Sequence, residues 1–591
     1  MRLRSTSSPA VSSGRANSRV RLWYAVLLLI AAIFIARLFY LQIVRHDYYR
    51  QQALKGQLKQ YSVAAKRGII KVRDGDQTVP IVLNETLYTL FADPVFINEP
   101  EKSALKLSAI TKGDNRRYEK LMKTENSRYA ILAKKVTEAQ KKRIDALKLP
   151  GIGLQAQEYR TYPQGTLAAQ LLGFVDDEGK GKYGVEQALN KELSGQPGML
   201  KAITDANGVP LAANKNNIEV PPQNGQGVIL TIELAMQKQL ETILKEGLDR
   251  AKSQSGSALI MDPNSGAIKA MANWPTYDPG RYFNQSDPAV FTNAAVSSPL
   301  EVGSVMKVLT ASAALDKAVV RPDTTYYDPS RWEIDGHTVT NIEEDGGAGT
   351  RSLADILNLS LNTGATWMLM QMGGGQLNQK ARTTWHDYMV NHYQFGRLTG
   401  IEQGYEAAGY VPNPERGDGL NIAYANTSFG QAMTATPLQM AAALSSVLNG
   451  GTYYQPRLVE ATTDVTGQAT AKKPVVVRSG VVASRVSGQI QSLMEYVVDN
   501  HHLRPPFSDN YSVGGKTGTA QIANPAGGYW ADKYNGMYIG FVGGEHAQYV
   551  IAIRVNEPAI GGYAGSAAAQ PIFTRLGHML IDNFGVVPKS Q

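Results

Sequence analysis

The 591 residues contain no cysteine, so disulfides, thiol nucleophiles and Cys-based zinc sites are excluded. Histidine is sparse too. Its eight positions (His46, His337, His386, His392, His501, His502, His546, His578) show no His-Glu-x-x-His spacing, and His501-His502 adjoin Pro505-Pro506 in what reads as a loop. All eight are taken as ordinary surface or core residues, and no metal site is expected. Neither Gly-x-Gly-x-x-Gly nor a phosphate-cradling Gly-Lys-Ser/Thr opens a helix, which argues against nucleotide use; no cofactor is expected. Acidic residues are missing from positions 1 to 21, where Arg2, Arg4, Arg15, Arg19 and Arg21 account for more than half of the formal net charge of +9. Because that excess lies in a Ser-rich leader and not over a folded face, no nucleic-acid partner is expected.

Behind the leader, Leu22 to Val44 is apolar except for Arg37 and Gln42. At about 1.5 Å per residue this run reaches roughly 34 Å, enough to cross a hydrocarbon core with some tilt. Its uncharged part, Leu22 to Ala36, also has the length of a signal-peptide core, but no small-x-small cleavage site follows and Arg37 can snorkel to the interface. The run therefore predicts an uncleaved anchor over 22–44. The arginine asymmetry leaves residues 1–21 in the cytoplasm and places everything after Val44 outside.

A 43% hydrophobic composition supports large cores in the exported body. Residues 45–225 read as a first region of mixed character. Arg67-Gly68-Ile69-Ile70 leads to a turn at Asp74-Gly75, Glu101 to Leu149 is charged with apolar residues at helical spacing, and Ala213 to Gln226, rich in Asn, Pro and Gly, reads as a linker. Residues 226–591 form the second region. Glu233 to Ala251 has an amphipathic helix pattern, and Ser257 to Asp262 with Ala267 to Ala272 predicts a hairpin. Lys516 to Gln521, Asn535 to Val542 and Gln548 to Val555 read as strands, and Ala567 to Phe584 as a closing helix. Between these ends, 273 to about 510 reads as helix and loop. The fold class expected is α/β in its α+β form: an antiparallel sheet flanked by helices beside an all-helical lobe, with a cleft between them.

Three strings carry chemistry: Ser304-Val305-Met306-Lys307, Ser360-Leu361-Asn362 and Lys516-Thr517-Gly518-Thr519. Val305 to Leu315 is apolar nearly all round, so Ser304 opens a buried helix, and Lys307 at i+3 shares its face. Burial there favours a neutral amine that can take the serine proton. The Ser304 N–H at the helix start is one expected oxyanion donor, and the Thr519 N–H the other. Ser508-Asp509-Asn510 resembles a Ser-Asp-Asn triplet more closely than Ser360-Leu361-Asn362 does. It lies only eight residues before Lys516, however, so Ser360, 56 residues after Ser304, is expected in the site and Ser508 in a turn. Ser360 would relay a proton, and the Asn362 amide would orient a substrate carbonyl. Gly514-Gly515 before Lys516 marks a strand that a ligand approaches closely; Lys516, Thr517 and Thr519 would receive a carboxylate, with Gly518 between them. Ser103-Ala104-Leu105-Lys106 shows how cheaply a lone Ser-x-x-Lys arises, and is read as solvated helix surface.

Serine-x-x-lysine, a serine-asparagine triplet and Lys-Thr-Gly in this order are the signature of penicillin-reactive serine enzymes. At these residues the chain resembles the class B penicillin-binding proteins, the monofunctional transpeptidases of bacterial wall synthesis. The likeness extends to Arg67-Gly68-Ile69-Ile70, Arg160-Thr161-Tyr162-Pro163, Gly173-Phe174-Val175 and Tyr183-Gly184-Val185-Glu186. It continues through Trp274 to Pro279 and Thr436-Pro437-Leu438-Gln439. The resemblance implies an elongated pedestal or dimerisation-type domain over 45–225 and a penicillin-recognising transpeptidase domain over 226–591. It implies acyl transfer from a stem-peptide D-alanine to a neighbouring amine through Ser304, with β-lactams as mimics. It also implies a polytopic, SEDS-type glycan polymerase and other wall-synthesis or divisome membrane proteins as partners, which gives Arg37 a reason to sit in the span.

Two departures stand out: Val302 where the family usually has proline, and the bulky Leu361 inside the triplet. A β-lactamase would need a deacylating Glu-x-x-Leu-Asn, and none is present; a glycosyltransferase domain would not fit between anchor and pedestal. A carboxypeptidase shares every catalytic residue, and a non-catalytic scaffold or drug sensor would share the fold. The compact size and the 173–186 segment favour the division (septal) type over side-wall growth.

Overall fold

The computed structural model describes residues 18–49, 58–125, 127–203, 218–341, 347–417 and 419–590. The leader up to residue 17 and the first part of the expected linker, 213–217, lie outside them. Packing separates two compact units, Met1–Ala65 with Gln196–Gln223 and Lys66–Gly195 with Asn224–Gln591.

In the first unit a helix, Ser18–Phe39, runs on as a π-turn, Tyr40–Val44. By length and composition, Val20–Val44 can cross a membrane. The Arg37 and Arg45 guanidiniums lie 5.7 and 5.6 Å from the centre of the Tyr40 ring, and Arg45 Nε donates to its hydroxyl at 2.9 Å. A phenol between two cations at the end of an apolar helix suits an interface, where the ring stays dry and the hydroxyl meets charge. The same unit holds a three-stranded antiparallel sheet of Leu58–Val63, Gly198–Ile203 and Ile218–Val220.

The second unit begins with a hairpin, Ile70–Asp74 and Gln77–Ala92, closed where Gly75 takes the left-handed φ of +61° that the tight turn requires. Gln77–Ala92 continues into pairing with Ala130–Val136 and Ile152–Thr161. On its other edge, Ile70–Asp74 pairs in parallel with Gly227–Glu233, which pairs with Val459–Thr463. One sheet therefore takes strands from both sides of residue 225.

Helices fill most of the charged 101–149 stretch, namely Pro100–Thr111, Asn115–Met122 and Glu138–Asp145. Ala130–Val136 is instead a strand; Ala130, Leu132 and Val136 face the core, and lysines between them hid the alternation. Ser103 corrects another expectation. It is buried on the inner face of its helix with Leu107 and Ile110, at spacings of four and seven, while Lys106 is exposed.

Three of the resembling strings meet in one buried ion cluster. Glu186 is fully buried and accepts from Arg67 Nε at 2.7 Å and Arg160 Nε at 2.8 Å. Arg160 also donates to the Asn84 side chain and the Gly68 carbonyl, and Arg67 to the Asn190 side chain. Gly68 is obligatory because a Cβ there would lie 1.8 Å from the Gln226 carbonyl oxygen.

A second large sheet has five antiparallel strands: β1 (Ser255–Met261), β2 (Ile268–Trp274), β3 (Ser512–Ala523), β4 (Tyr529–Gly543) and β5 (Ala547–Asn556), in the spatial order β2-β1-β5-β4-β3. Strands thus come from both ends of the region, as the sequence pattern predicts. On one face pack the helices α1 (Leu234–Arg250) and α6 (Gln570–Asn583) through Leu240, Leu244, Phe573 and Leu576 against Ile551 and Ile553. Within the inserted lobe, α2 (Met306–Asp316) buries every residue from Met306 to Leu315. α3 (Leu353–Asn358), α4 (Asn362–Met372) and α5 (Ser484–Asn500) lie around it. The lobe is not all helical. Thr325–Asp328 pairs with Gly349–Ser352, Arg331–Ile334 with His337–Thr340, and Thr452–Tyr454 with Val476–Ser479; strands of three or four residues are too short to show alternation.

Replacing Glu186 by alanine would leave two guanidiniums buried without their carboxylate, a loss of about 3–5 kcal/mol. Chemical denaturation of the full chain in detergent should show a loss of this size; a shift below about 1 kcal/mol would mean that the cluster is not structurally important.

Candidate active site

Ser304 sits in a single 3-10 turn, Gly303–Val305, that runs directly into α2. Gly303 has a φ of +63°, and a Cβ on it would stand 2.8 Å from the Thr519 carbonyl oxygen; a Cβ on Gly518 would stand 2.7 Å from that of Val302. The serine turn and β3 thus meet backbone to backbone, which side chains at either position would prevent. The Gly303 N–H donates to the Gly430 carbonyl at 3.0 Å, fixing the turn from the other side.

Lys307 and Lys516 are both fully buried, one on α2 and one on β3. Lys307 Nζ donates to the Ser360 carbonyl, to Ser360 Oγ at 3.2 Å and to Asn362 Oδ1 at 2.8 Å. Lys516 Nζ donates to the same Ser360 Oγ at 3.0 Å, to the Thr517 carbonyl at 3.1 Å and to Thr517 Oγ1 at 3.4 Å. Ser360 lies between α3 and α4 with a φ of +59°, a strained value for a residue with a side chain. Neighbours hold the turn. Asn362 Nδ2 donates to the Thr340 carbonyl at 3.1 Å, and Thr363 Oγ1 donates to buried Asp328 at 2.8 Å. Asn362 keeps one amide hydrogen for a ligand. Thr519 Oγ1 accepts from the Gly565 N–H at 3.0 Å, so its own proton can still be donated.

Ser304, Ser360, Asn362, Thr517 and Thr519 line one cavity of about 240 Å³. Ser508 and Asp509 are elsewhere, on a larger cavity of about 800 Å³ formed by the 495–513 segment and Lys589. The larger cavity contains none of the converging groups.

His501, taken from sequence as ordinary, also lines the serine cavity. It follows α5, and its Nε2 donates to the Asn358 carbonyl at 3.1 Å, so Nδ1 carries the lone pair. Burial lowers its pKa from the ordinary 6.5; the bond to Asn358 opposes this, and the Lys516 charge reinforces it. Nothing in its local sequence distinguishes His501, because its role depends on where α5 ends relative to α3. Gln431, Phe429 and Tyr563 line the same cavity and were equally silent.

The family model described as the penicillin binding protein transpeptidase domain matches residues 256–577, and that of the penicillin-binding protein dimerisation domain matches 62–230. Stage V sporulation protein D of Bacillus subtilis is 28% identical over 587 residues, covering 97% of this chain and 87% of the relative. The peptidoglycan D,D-transpeptidase FtsI of Escherichia coli is 25% identical over 566 residues, covering 94% and 90%. Among solved structures, penicillin binding protein 2X from Streptococcus thermophilus superposes with a TM-score of 0.70 at 22% identity, covering 88% of this chain and 80% of that one. Penicillin binding protein 3 from Mycobacterium tuberculosis, complexed with aztreonam, gives 0.66 at 23%, covering 90% and 100%.

A histidine whose folded-state pKa is depressed adds stability above its unfolded pKa, near 6.5, and that contribution is lost as pH falls through the folded value. Wild type should therefore be more stable than His501→Gln at pH 7.5, with the gap narrowing by pH 5. Thermal unfolding of both proteins at the two pH values tests this, and a gap that widens on acidification would contradict it.

Proposed function

Since the chain belongs to the class B penicillin-binding proteins and is a peptidoglycan D,D-transpeptidase, we propose that Ser304 is its acylated nucleophile and that it works in septal wall synthesis. The observation that carries the site assignment is the convergence of two buried lysine side chains on Ser360 Oγ, beside the cavity that Ser304 lines. Ser304 Oγ attacks the carbonyl of the penultimate D-alanine. Its proton passes to Lys307, and the Ser304 and Thr519 N–H groups receive the oxyanion. As the C–N bond breaks, Ser360 Oγ passes its proton to the departing D-alanine amine and takes one in turn from Lys307, which is left neutral for the second step. In the second step an acceptor amine attacks the ester, the C–Oγ bond breaks, and the amine's surplus proton returns through Lys307 to Ser304. Lys516, Thr517 and Thr519 hold the donor's terminal carboxylate, Gly518 lets the serine turn approach, and Asn362 orients the donor's peptide carbonyl. A β-lactam enters as the donor does, but its leaving amine stays tethered after ring opening, so the acyl-enzyme persists.

The anchor over 22–44 places residues 1–21 in the cytoplasm and the enzyme outside the cell membrane. Residues 45–225 serve as the pedestal and 226–591 as the transpeptidase domain, working with a polytopic, SEDS-type glycan polymerase and divisome proteins in the bilayer. Support for the division assignment is the kinship with the FtsI relative. Depletion should give filaments; spheres would sink the septal assignment.

Ser304→Ala should abolish covalent capture of a fluorescent penicillin, whereas Ser508→Ala should leave it within about threefold of wild type. Gel fluorescence of the full-length proteins reads both. The reverse pattern would show that the wrong residues were assigned.

A further inference from the structure

Transpeptidation joins two substrates of opposite charge. The donor ends in a carboxylate, and the acceptor is an amine that is a cation at neutral pH. None of the side chains lining the serine cavity is acidic, and the nearby Lys516 would repel an incoming ammonium. Negative charge is present just beyond the cavity. Glu301, three residues before the nucleophile, accepts through Oε1 from the Ala432 N–H at 2.9 Å and from the Tyr529 hydroxyl at 2.9 Å. Its Oε2 is buried with no hydrogen-bond donor, and no cation pairs with this carboxylate among the described residues. Ala432 follows Gln431, which lines the cavity.

Strand register shows which end this is. Along β3, Lys516 pairs with Ile539, Thr519 with Gly536 and Ala523 with Tyr529. The serine turn meets β3 at Gly518–Thr519. Lys516 therefore lies on one side of the nucleophile, and Tyr529, whose hydroxyl touches Glu301, lies beyond it on the other. At about 3.4 Å per residue the strand from Lys516 to Ala523 spans roughly 24 Å, room for a donor at one end and an acceptor at the other. The crevice is polarised along β3: cation, serine, anion.

We propose that Glu301 is the acceptor-side anchor of this crevice, binding the ammonium of the incoming amine at the Oε1 edge where the Tyr529 hydroxyl now sits; the ammonium then gives one proton to water and leaves the carboxylate as the free amine that attacks the ester. A partly buried carboxylate with an unsatisfied oxygen and no counter-ion gains from a cation far more than an exposed, already paired one does. Burial raises the Glu301 pKa, as expected of a charge lacking a partner. Tyr529 is two-fifths exposed at the end of the β3–β4 hairpin, so it can give way to a ligand without disturbing the core.

The inference rests on the assignment of Ser304 as nucleophile, and Glu301→Gln separates the two. Glutamine keeps an oxygen for the Ala432 N–H and the Tyr529 hydroxyl but removes the charge. With full-length protein and a thiolester analogue of the donor, transfer is measured to Nα-acetyl-lysine amide, a cationic acceptor, and to hydroxylamine, which is uncharged at pH 7.5; acylation by a fluorescent penicillin is measured alongside. In E301Q the concentration of lysine acceptor needed for half-maximal transfer should rise about tenfold, with transfer to hydroxylamine falling no more than the acylation step does. Equal losses with both acceptors would mark a purely structural role and overturn the inference, as would an unchanged response to the lysine acceptor. Failure of wild type to be acylated at Ser304 would instead strike the underlying assignment.

Discussion

The crevice depends on one turn of chain at Ser360. Two fully buried lysine side chains, from a helix and from a sheet edge, aim at the same hydroxyl. Polar groups this deep in a dry environment are costly unless acceptors stand around them. The Ser360 carbonyl and hydroxyl, Asn362 Oδ1 and the oxygens of Thr517 are those acceptors. Ser360 presents its carbonyl and hydroxyl together from a left-handed conformation, held between α3 and α4, with the His501–Asn358 and Thr363–Asp328 bonds on either side.

A second constraint brings Ser304 to this cluster. Gly303 and Gly518 remove the two side chains that would hold the serine turn off β3, so the Ser304 backbone sits against the strand that carries Lys516. At the two departures from the family's usual pattern, Val302 and Leu361 are both buried, and neither side chain lines the serine cavity. Outside the crevice, Glu186 binds Arg67 and Arg160 and so ties together three segments of the chain before residue 225. Charges drawn from distant segments thus recur as the means of fixing this fold, each with its own hydrogen-bonded shell.

Much of this was legible in advance. The helix opening at Ser304, the hairpin of β1 and β2, the strand carrying Lys516 and the closing helix all follow from period and turn chemistry, because these elements are long enough to show their pattern. Short strands such as Arg331–Ile334 were not legible, and Ala130–Val136 was disguised by its lysines. Ser103 was misplaced because the polarity of its neighbours outweighed its position on the inner face of the helix. His501 and Glu301 carried no signal of their own: each matters through a partner remote in sequence, Asn358 for one and Tyr529 for the other.

By itself the amino-acid sequence determined which groups exist: an apolar span behind a basic leader, a serine with a lysine one helical turn away, a second lysine in a glycine-bearing strand, and no thiol anywhere. These are properties of neighbouring residues, and local periodicity and side-chain chemistry are written directly in the order of the chain. Tertiary structure alone decided that Lys307 and Lys516 share one hydroxyl, that Glu186 holds two arginines, and that Lys516 and Glu301 flank Ser304 along β3. Such contacts join residues up to 228 positions apart, and only the packing of the sheet against its inserted lobe sets their distances.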